Sequence, residues 1–387
     1  MDEKILIDYV KKCAEEIPFL KEKYSFLLDK KFVWKDVPFL TAEEFSKNVE
    51  KLVPPSLDLN NTPSFVGSGT SKQVRRTYLT PKDIERVAKD WEKLFNERHL
   101  LKKGSAILLT VPNEEYASAF IAKYILSKVG FKVKTAKDIK EHVDIALEGI
   151  DAILTGVPII RMIIEEIEKK GKSIKDLKIR KLFIGGEDVS EYNYNLMKKI
   201  GAPIILMYGL AEAIVPIAIE EKFKEGYEIY EGLNFVEIDP FPDNPKKGEL
   251  MVTCLDREGT RLIKYKTADF VEKLSDNKIR ILGRTDKSAV IGHMTFFLTG
   301  ELENALLKLG IEDFRIDITH ENGLDVLTFI TKKNISREDI IKTISKYDSE
   351  FEEQYNGKFF VIKHRFDRDL KTNIGIKHRR INDLRKQ

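Results

Sequence analysis

With only two cysteines in 387 residues, Cys13 and Cys254, the chain has no disulfide framework and no cysteine-based zinc site, and it fits a reducing compartment. A surplus of one charge is missing too: 66 basic residues face 63 acidic ones, a net of +3. So close a balance argues against a nucleic-acid coat or an acidic polymer as the main partner. No apolar run approaches the ~20 residues that span a bilayer. The opening MDEKILIDYVKK puts acids first, unlike a signal peptide. The six histidines show no metal-ligand spacing, and HExxH and CxxC are absent. The expectation is a soluble cytoplasmic protein with no membrane and no nucleic-acid partner; a homodimer stays open.

What the chain does have is apolar content, 42% of its residues. That is enough for extensive cores, and the length suggests two or three domains. The first hundred residues read as helical. Thr41 to Glu44 has capping-box spacing, and Thr80-Pro81 starts a second helix. On that helix Ile84, Val87, Ala88, Trp91, Leu94 and Phe95 fall on one face. Between the two helices lies a loop of small residues, PSFVGSGTSKQ.

From Ala106 the texture alternates. AILLTV, FKVKTA, DAILTG, KLFIGG and PIILMY are short apolar runs separated by helical patterns such as EYASAFIAKYILSKV and PIIRMIIEEIEKKG. This predicts an α/β architecture, a mostly parallel sheet with helices on both faces. Ligands bind such sheets beyond the carboxyl ends of their strands. After about Pro216 strands with short turns take over (YEIYEGLNFVEID, GELMVTCLD, RLIKYKTADFVEKL, KIRILGR), which predicts an antiparallel sheet or a small β-barrel part over about 216–283. A last segment mixes strands (DFRIDITH, DVLTFITKK, KFFVIKH) with a helix (SREDIIKTISKY). It reads as a small C-terminal α+β domain.

Five short motifs sit at chemically useful places. Gly67-Ser68-Gly69-Thr70-Ser71-Lys72 offers backbone N–H groups, hydroxyls and a cation to a phosphate, though an ordinary turn reads the same way. Gly185-Gly186-Glu187 ends an apolar strand and lets a flat ring approach the backbone; a plain strand-to-helix turn is the other reading. Tyr208-Gly209-Leu210-Ala211-Glu212 pairs an aromatic that stacks on purines with a carboxylate able to hold Mg²⁺. Asp269 in Lys266-Thr267-Ala268-Asp269 has the acceptors for two ribose hydroxyls. Gly283-Arg284-Thr285-Asp286 places an arginine where the texture changes. Each of the last three is also readable as solvated charge at a strand end. Cys254 lies in an alternating strand, where core packing is the simpler reading.

Taken in order, these motifs resemble the adenylate-forming acyl-CoA synthetase superfamily and, within it, the phenylacetate–CoA ligase-like branch. Gly67 to Lys72 is similar to the family's SSGTTGKP loop, and Gly185 to Glu187 to its GGE turn. Tyr208 to Glu212 matches YGLTE, Lys264 to Asp269 matches RYRTGD, and Gly283 to Lys287 matches the GRxDD hinge. VPFLTAEEF is similar to PFTTKEDL, and the terminal GIKHRRINDLR to EGKAKRVIDNR, so the resemblance runs from about Val37 to the C-terminus.

The resemblance implies a large ATP- and acid-binding domain over 1–283, a hinge near 284–286 centred on Asp286, and a small mobile domain over 287–387. It implies ATP and Mg²⁺ as cofactors, coenzyme A as acceptor, and a small carboxylic acid as substrate. Ser68, Gly69, Thr70, Ser71 and Lys72 would hold the phosphates, and Glu212 the Mg²⁺. Tyr208 and Gly209 with Gly185, Gly186 and Glu187 would frame adenine. Asp269 and Arg284 would fix the ribose, and Lys377 would reach the α-phosphate as the catalytic cation. By position, Asn113 and Tyr116 would line the acid pocket. The implied activity is that of an AMP-forming carboxylic acid–CoA ligase acting on an aryl or medium-sized acid.

Three departures from the pattern accompany that match. The phosphate loop lacks its second glycine, Ala211 replaces a hydroxyl residue, and Ala268 replaces the glycine before the ribose aspartate. They keep a second reading open, a catalytically degenerate acid- or nucleotide-binding protein. A third, an acyl-protein synthetase of the bioluminescence type, calls for an acyl-accepting cysteine near the C-terminus, and no cysteine follows Cys254.

Overall fold

Asp2 caps the first helix by accepting from Lys4 N at 2.9 Å, and α1 (Glu3–Glu16) buries Leu6, Tyr9, Val10, Cys13 and Ala14 along one face. Ile17 breaks the turn, and Pro18 restarts it at a position where its missing N–H costs nothing, giving α2 (Pro18–Leu28). Thr41 caps α3 (Ala42–Asn48) through Glu44 N, as the spacing predicts. The computed structural model describes residues 2–67, 76–110, 116–136, 138–186, 189, 191–241, 244–284, 288–291, 294–298, 300–347, 349–370 and 381–386. It divides into two compact units, Met1–Glu187 with Leu196–Arg280, and Asp188–Asn195 with Ile281–Gln387.

The loop between α3 and the next helix is more ordered at its edges than its composition implies. β1 (Ser64–Val66) and β2 (Arg76–Tyr78) pair antiparallel, with Ser64 opposite Tyr78 and Val66 opposite Arg76. A full capping box then opens α4 (Pro81–Glu97): Thr80 Oγ1 accepts from Asp83 N, and Asp83 accepts from Thr80 N. The apolar face read from the sequence is the one that is buried.

The alternating region forms β3 (Ala106–Thr110), β4 (Lys132–Ala136), β5 (Ala152–Thr155), β6 (Lys181–Gly185) and β7 (Ile204–Gly209), all parallel to one another. Trp91 and Phe95 of α4 lie against this sheet, with Phe95 and Phe183 ring centroids 5.3 Å apart. Burying aromatics of this size contributes about 2–3 kcal/mol each. The helical crossover after β3 carries a π-helical stretch, Ile121–Leu126, between α-helical ends.

Beyond β7 come β8 (Pro216–Glu220), β9 (Tyr227–Ile229), β10 (Asn234–Phe241), β11 (Asn244–Cys254), β12 (Leu262–Ser275) and β13 (Lys278–Arg284). They join the same 11-stranded sheet, in the order β10-β11-β12-β13-β9-β8-β7-β6-β5-β3-β4. Of the two alternatives read from the sequence, this is the antiparallel sheet: among the described residues the order is linear and does not close as a barrel. The helical hairpin packs on its far end. Tyr9 donates to Cys254 O at 2.7 Å, and Leu40 bridges Tyr265, donating to Lys264 O and accepting from Lys266 N.

The second unit holds a hairpin of β14 (Ser288–Ile291) and β15 (Met294–Phe297). It also holds a four-stranded sheet of β16 (Phe314–Glu321), β17 (Leu324–Thr331), β18 (Phe360–Phe366) and β19 (Ile381–Asp383), in the order β18-β17-β16-β19. The helices Gly300–Lys308, Arg337–Tyr347 and Ser349–Asn356 contribute Leu302, Leu306, Ile340, Ile344 and Phe351 to its core.

Candidate functional site

At the carboxyl ends of the parallel strands, β6 and β7 run side by side with Gly185 opposite Met207. A Cβ on Gly185 would stand 3.0 Å from Met207 O, and Gly186 turns the chain at φ +91°. The backbone therefore demands both glycines before any ligand does.

Tyr208 lies near the end of β7, and its hydroxyl donates to Asp269 Oδ2 at 2.6 Å. Through Gly209 the strand enters a tight turn in which Ala213 N and Ile214 N both donate to Leu210 O. Glu212 sits in that turn and is only 5% exposed. Its Oε1 accepts from the Tyr265 hydroxyl at 3.1 Å. The turn is held from behind by Arg257, which is buried: Nη1 donates to Glu212 O at 2.5 Å, and Nη2 donates to Ala213 O. Ile214 follows at φ +60°, a costly conformation for a β-branched residue. Its carbonyl accepts from Trp91 Nε1 at 3.0 Å.

Asp269 is 3% exposed and stands on β12 just past a break in register with β11. The break is built by Thr267 and Ala268. Thr267 Oγ1 donates to Leu250 O and accepts from Asp269 N, both at 3.0 Å. Ala268 adopts φ +64°, the left-handed region that favours glycine. The related pattern has glycine at this position, so the substitution keeps the backbone and takes on a strain of about 1–2 kcal/mol. Ala268 N donates to Glu249 Oε1 at 3.0 Å. Burial pushes the Glu249 carboxyl above the usual range, and Lys266 beside it opposes that shift.

Two segments thus exchange hydroxyls. Tyr208 reaches from β7 to Asp269, and Tyr265 reaches from β12 to Glu212. Each tyrosine stands four residues before the acid of its own segment and binds the acid of the other. Both carboxylates are buried and oriented, Glu212 in the turn just past β7 and Asp269 at the register break inside β12, the arrangement that suits a preformed polar site.

Among the described residues no group of three or more His, Cys, Asp or Glu gathers as a metal cage. Glu212 supplies one hard, oriented carboxylate. Mg²⁺ is usually held by one or two such groups together with water and substrate phosphates. The donor set therefore fits a Mg²⁺ that arrives with a nucleotide.

Of the residues singled out in the sequence, the first unit brings Tyr208, Gly209, Glu212 and Asp269 together and places Gly185 at the end of the neighbouring strand, with Gly186 in the bend after it. Tyr116 bridges Val66 in parallel, at the end of β1. Arg284 ends β13, half-buried, and falls in the second unit. Ser68, Gly69, Thr70, Ser71, Lys72, Asn113, Glu187, Asp286 and Lys377 lie outside the described residues. Both cysteines are buried, and burial pushes the Cys254 thiol up, which suits packing rather than nucleophilic chemistry. Sequence reasoning missed Tyr265, Arg257, Glu249 and Thr267. The repeated Tyr-x-x-x-acid spacing was the one local signal for Tyr265. Among the described residues no helix is long and apolar enough to cross a membrane.

Comparison with known proteins adds the following. No protein-family model matches the chain. Over 178 residues, 42% of the chain, it is 30% identical to a phenylacetate–coenzyme A ligase of Pseudomonas putida. Over 243 residues, 58% of the chain, it is 24% identical to a phenylacetate–coenzyme A ligase of Aromatoleum evansii. The chain spans 40% and 52% of those relatives' own lengths, about half. Among solved structures it is similar to 2-hydroxyisobutyryl-CoA ligase in the postadenylation state, with a TM-score of 0.73 at 15% identity over 99% of this chain and 90% of that one. It is also similar to O-succinylbenzoate coenzyme A synthetase from Bacillus subtilis in complex with ATP and magnesium ion, with a TM-score of 0.60 at 14% identity over 84% and 69%. The fold is that of the adenylate-forming CoA ligases.

Proposed function

We propose that this chain, phenylacetate–CoA ligase-like in sequence and adenylate-forming in fold, is an AMP-forming carboxylic acid–CoA ligase. A carboxylate oxygen of the substrate attacks the α-phosphorus of ATP, the bond to the bridging oxygen breaks, and pyrophosphate leaves. A thiol sulfur then attacks the acyl carbon of the mixed anhydride, the carbon–oxygen bond to phosphate breaks, and AMP leaves as the thiol gives up its proton. The observation that carries this reading is the pair of buried carboxylates, Glu212 and Asp269, cross-tied by Tyr265 and Tyr208.

In this reading Asp269 accepts from the ribose hydroxyls, Tyr208 and the Gly185–Gly186 turn face adenine, and Glu212 holds Mg²⁺. When bound, that ion neutralises phosphate charge as it develops. Ser68 to Lys72 would cradle the phosphates, Arg284 would add to the ribose contacts, and Lys377 would supply the cation at the α-phosphate. Asp286 is the proposed hinge for a domain turn that admits the thiol. The relatives' names favour an aryl or medium-sized acid and coenzyme A as acceptor, with Asn113 and Tyr116 near the acid. A cytoplasmic location belongs to the same proposal.

Acid-dependent exchange of labelled pyrophosphate into ATP, run across a panel of aryl and aliphatic acids, tests the reading. One or a few acids should support exchange, and Lys377→Ala should abolish it while ATP still binds. Ala211 favours the non-catalytic alternative: where the related pattern carries a hydroxyl, its methyl packs against the apolar cluster. ATP and acid binding without exchange for any acid would decide for that alternative.

A further inference from the structure

We infer that Glu249 is a positioning residue that sets Asp269 for the ribose by holding the strained bend before it. The inference rests on Asp269 as the ribose-binding carboxylate. Three observations support it. Ala268 is held at φ +64° without the glycine that would make this conformation easy. Its N–H, turned out of the ladder by the register break, donates to Glu249 Oε1 at 3.0 Å. Glu249 is itself fixed, since it lies on β11 directly opposite Phe270, the residue after Asp269. Lys266 stands 3.6 Å from its carboxylate and 2.6 Å from Asp239. The carboxylate thus receives the N–H of the bend itself, one residue before the group it positions. Relaxation of Ala268 toward ordinary extended backbone would rotate the following peptide and swing the Asp269 carboxylate away from the Tyr208 hydroxyl.

The test is equilibrium binding of ATP and of 2′,3′-dideoxy-ATP to the full chain with Mg²⁺, for wild type, Glu249→Gln and Glu249→Met. Wild type should prefer ATP, and Asp269→Asn should erase the preference. If wild type shows no preference, or Asp269→Asn keeps it, the ribose reading fails, and the inference about Glu249 falls with it. Given that preference, Glu249→Met should weaken ATP about tenfold and leave the dideoxy nucleotide unchanged, the size of one lost charge-assisted bond. Glu249→Gln, whose amide oxygen still accepts the N–H, should keep the preference. Adding Ala268→Gly to Glu249→Met should restore it, because glycine adopts the bend unaided. A Glu249→Met protein that discriminates as well as wild type, or that loses both nucleotides equally, overturns the inference while leaving the ribose reading intact. If Glu249→Met alone does not fold, recovery of a folded, discriminating protein in the double variant supports the inference, and its failure to recover overturns it.

Discussion

Asp83 holds the loop behind Glu212, and its removal should be felt there. The carboxylate is 1% exposed and accepts from Thr80 N at 3.0 Å, Glu258 N at 2.8 Å and Gly259 N at 2.8 Å. The first bond belongs to the cap of α4; the other two pin the 256–260 loop onto that helix. A Cβ on Gly259 would stand 2.1 Å from Tyr78 O, so the loop is seated too closely to shift sideways. It also carries Arg257, whose guanidinium holds the Glu212 turn. Bonds to a charged acceptor contribute about 1.5–3 kcal/mol each, and water can replace only part of three orphaned donors. Asp83→Ala should therefore cost the first unit about 4 kcal/mol, and Asp83→Asn, which keeps an acceptor oxygen, about half of that. At roughly 2–4 °C per kcal/mol for a domain this large, calorimetry should find Asp83→Ala melting about 10 °C below wild type. ATP affinity should fall with it, because the loop that holds Arg257 loosens. A loss under about 1 kcal/mol, or equal losses for the alanine and asparagine variants, would refute the reasoning.

Tyr208→Phe should weaken ATP about tenfold without altering the Mg²⁺ requirement, and Tyr265→Phe should raise the Mg²⁺ concentration for half-maximal pyrophosphate exchange; titrations of each ligand separate the two. Arg257→Met removes the donors to two turn carbonyls and should cost about 3 kcal/mol in urea unfolding, whereas Arg257→Lys recovers only part of that loss. Burial lowers the pKa of His142 below its ordinary value of 6.5. A group depressed in the folded state binds its proton more readily when unfolded, so stability is full above about pH 6.5 and falls as pH drops below it. Urea midpoints between pH 8 and pH 5 should show this fall, and His142→Leu should flatten it.

Much of the sheet is legible in the sequence because its strands are short apolar runs closed by small residues, and position at a strand end is itself a signal. Glu212 was found that way, as an acid just past an apolar run; Asp269 was expected at a strand end too, but β12 runs on to Ser275 and the acid sits at a register break inside it. β1 and β2 escaped because three residues on each side of a polar loop carry no period. Arg257, Glu249 and Tyr265 escaped for a different reason: their partners lie 45, 19 and 53 residues away. Nothing local distinguishes a buried arginine that donates to carbonyls from a solvated one in a turn. The strain at Ala268 was likewise invisible as strain, since a substitution for glycine reads as a lost turn until the backbone shows that the turn is kept.

The exchange of hydroxyls between the two Tyr-x-x-x-acid segments makes them a keyed pair. Replacing either tyrosine leaves its own acid satisfied and disables the acid of the opposite segment, so the lesion appears in a stretch of sequence the mutation does not touch. Grafting one of these segments alone from a relative with a different tyrosine placement would deliver a carboxylate without its donor and a donor without its carboxylate. In swaps between this chain and its relatives, the two segments should therefore transfer as one unit, although 53 residues separate the tyrosine of one from the acid of the other.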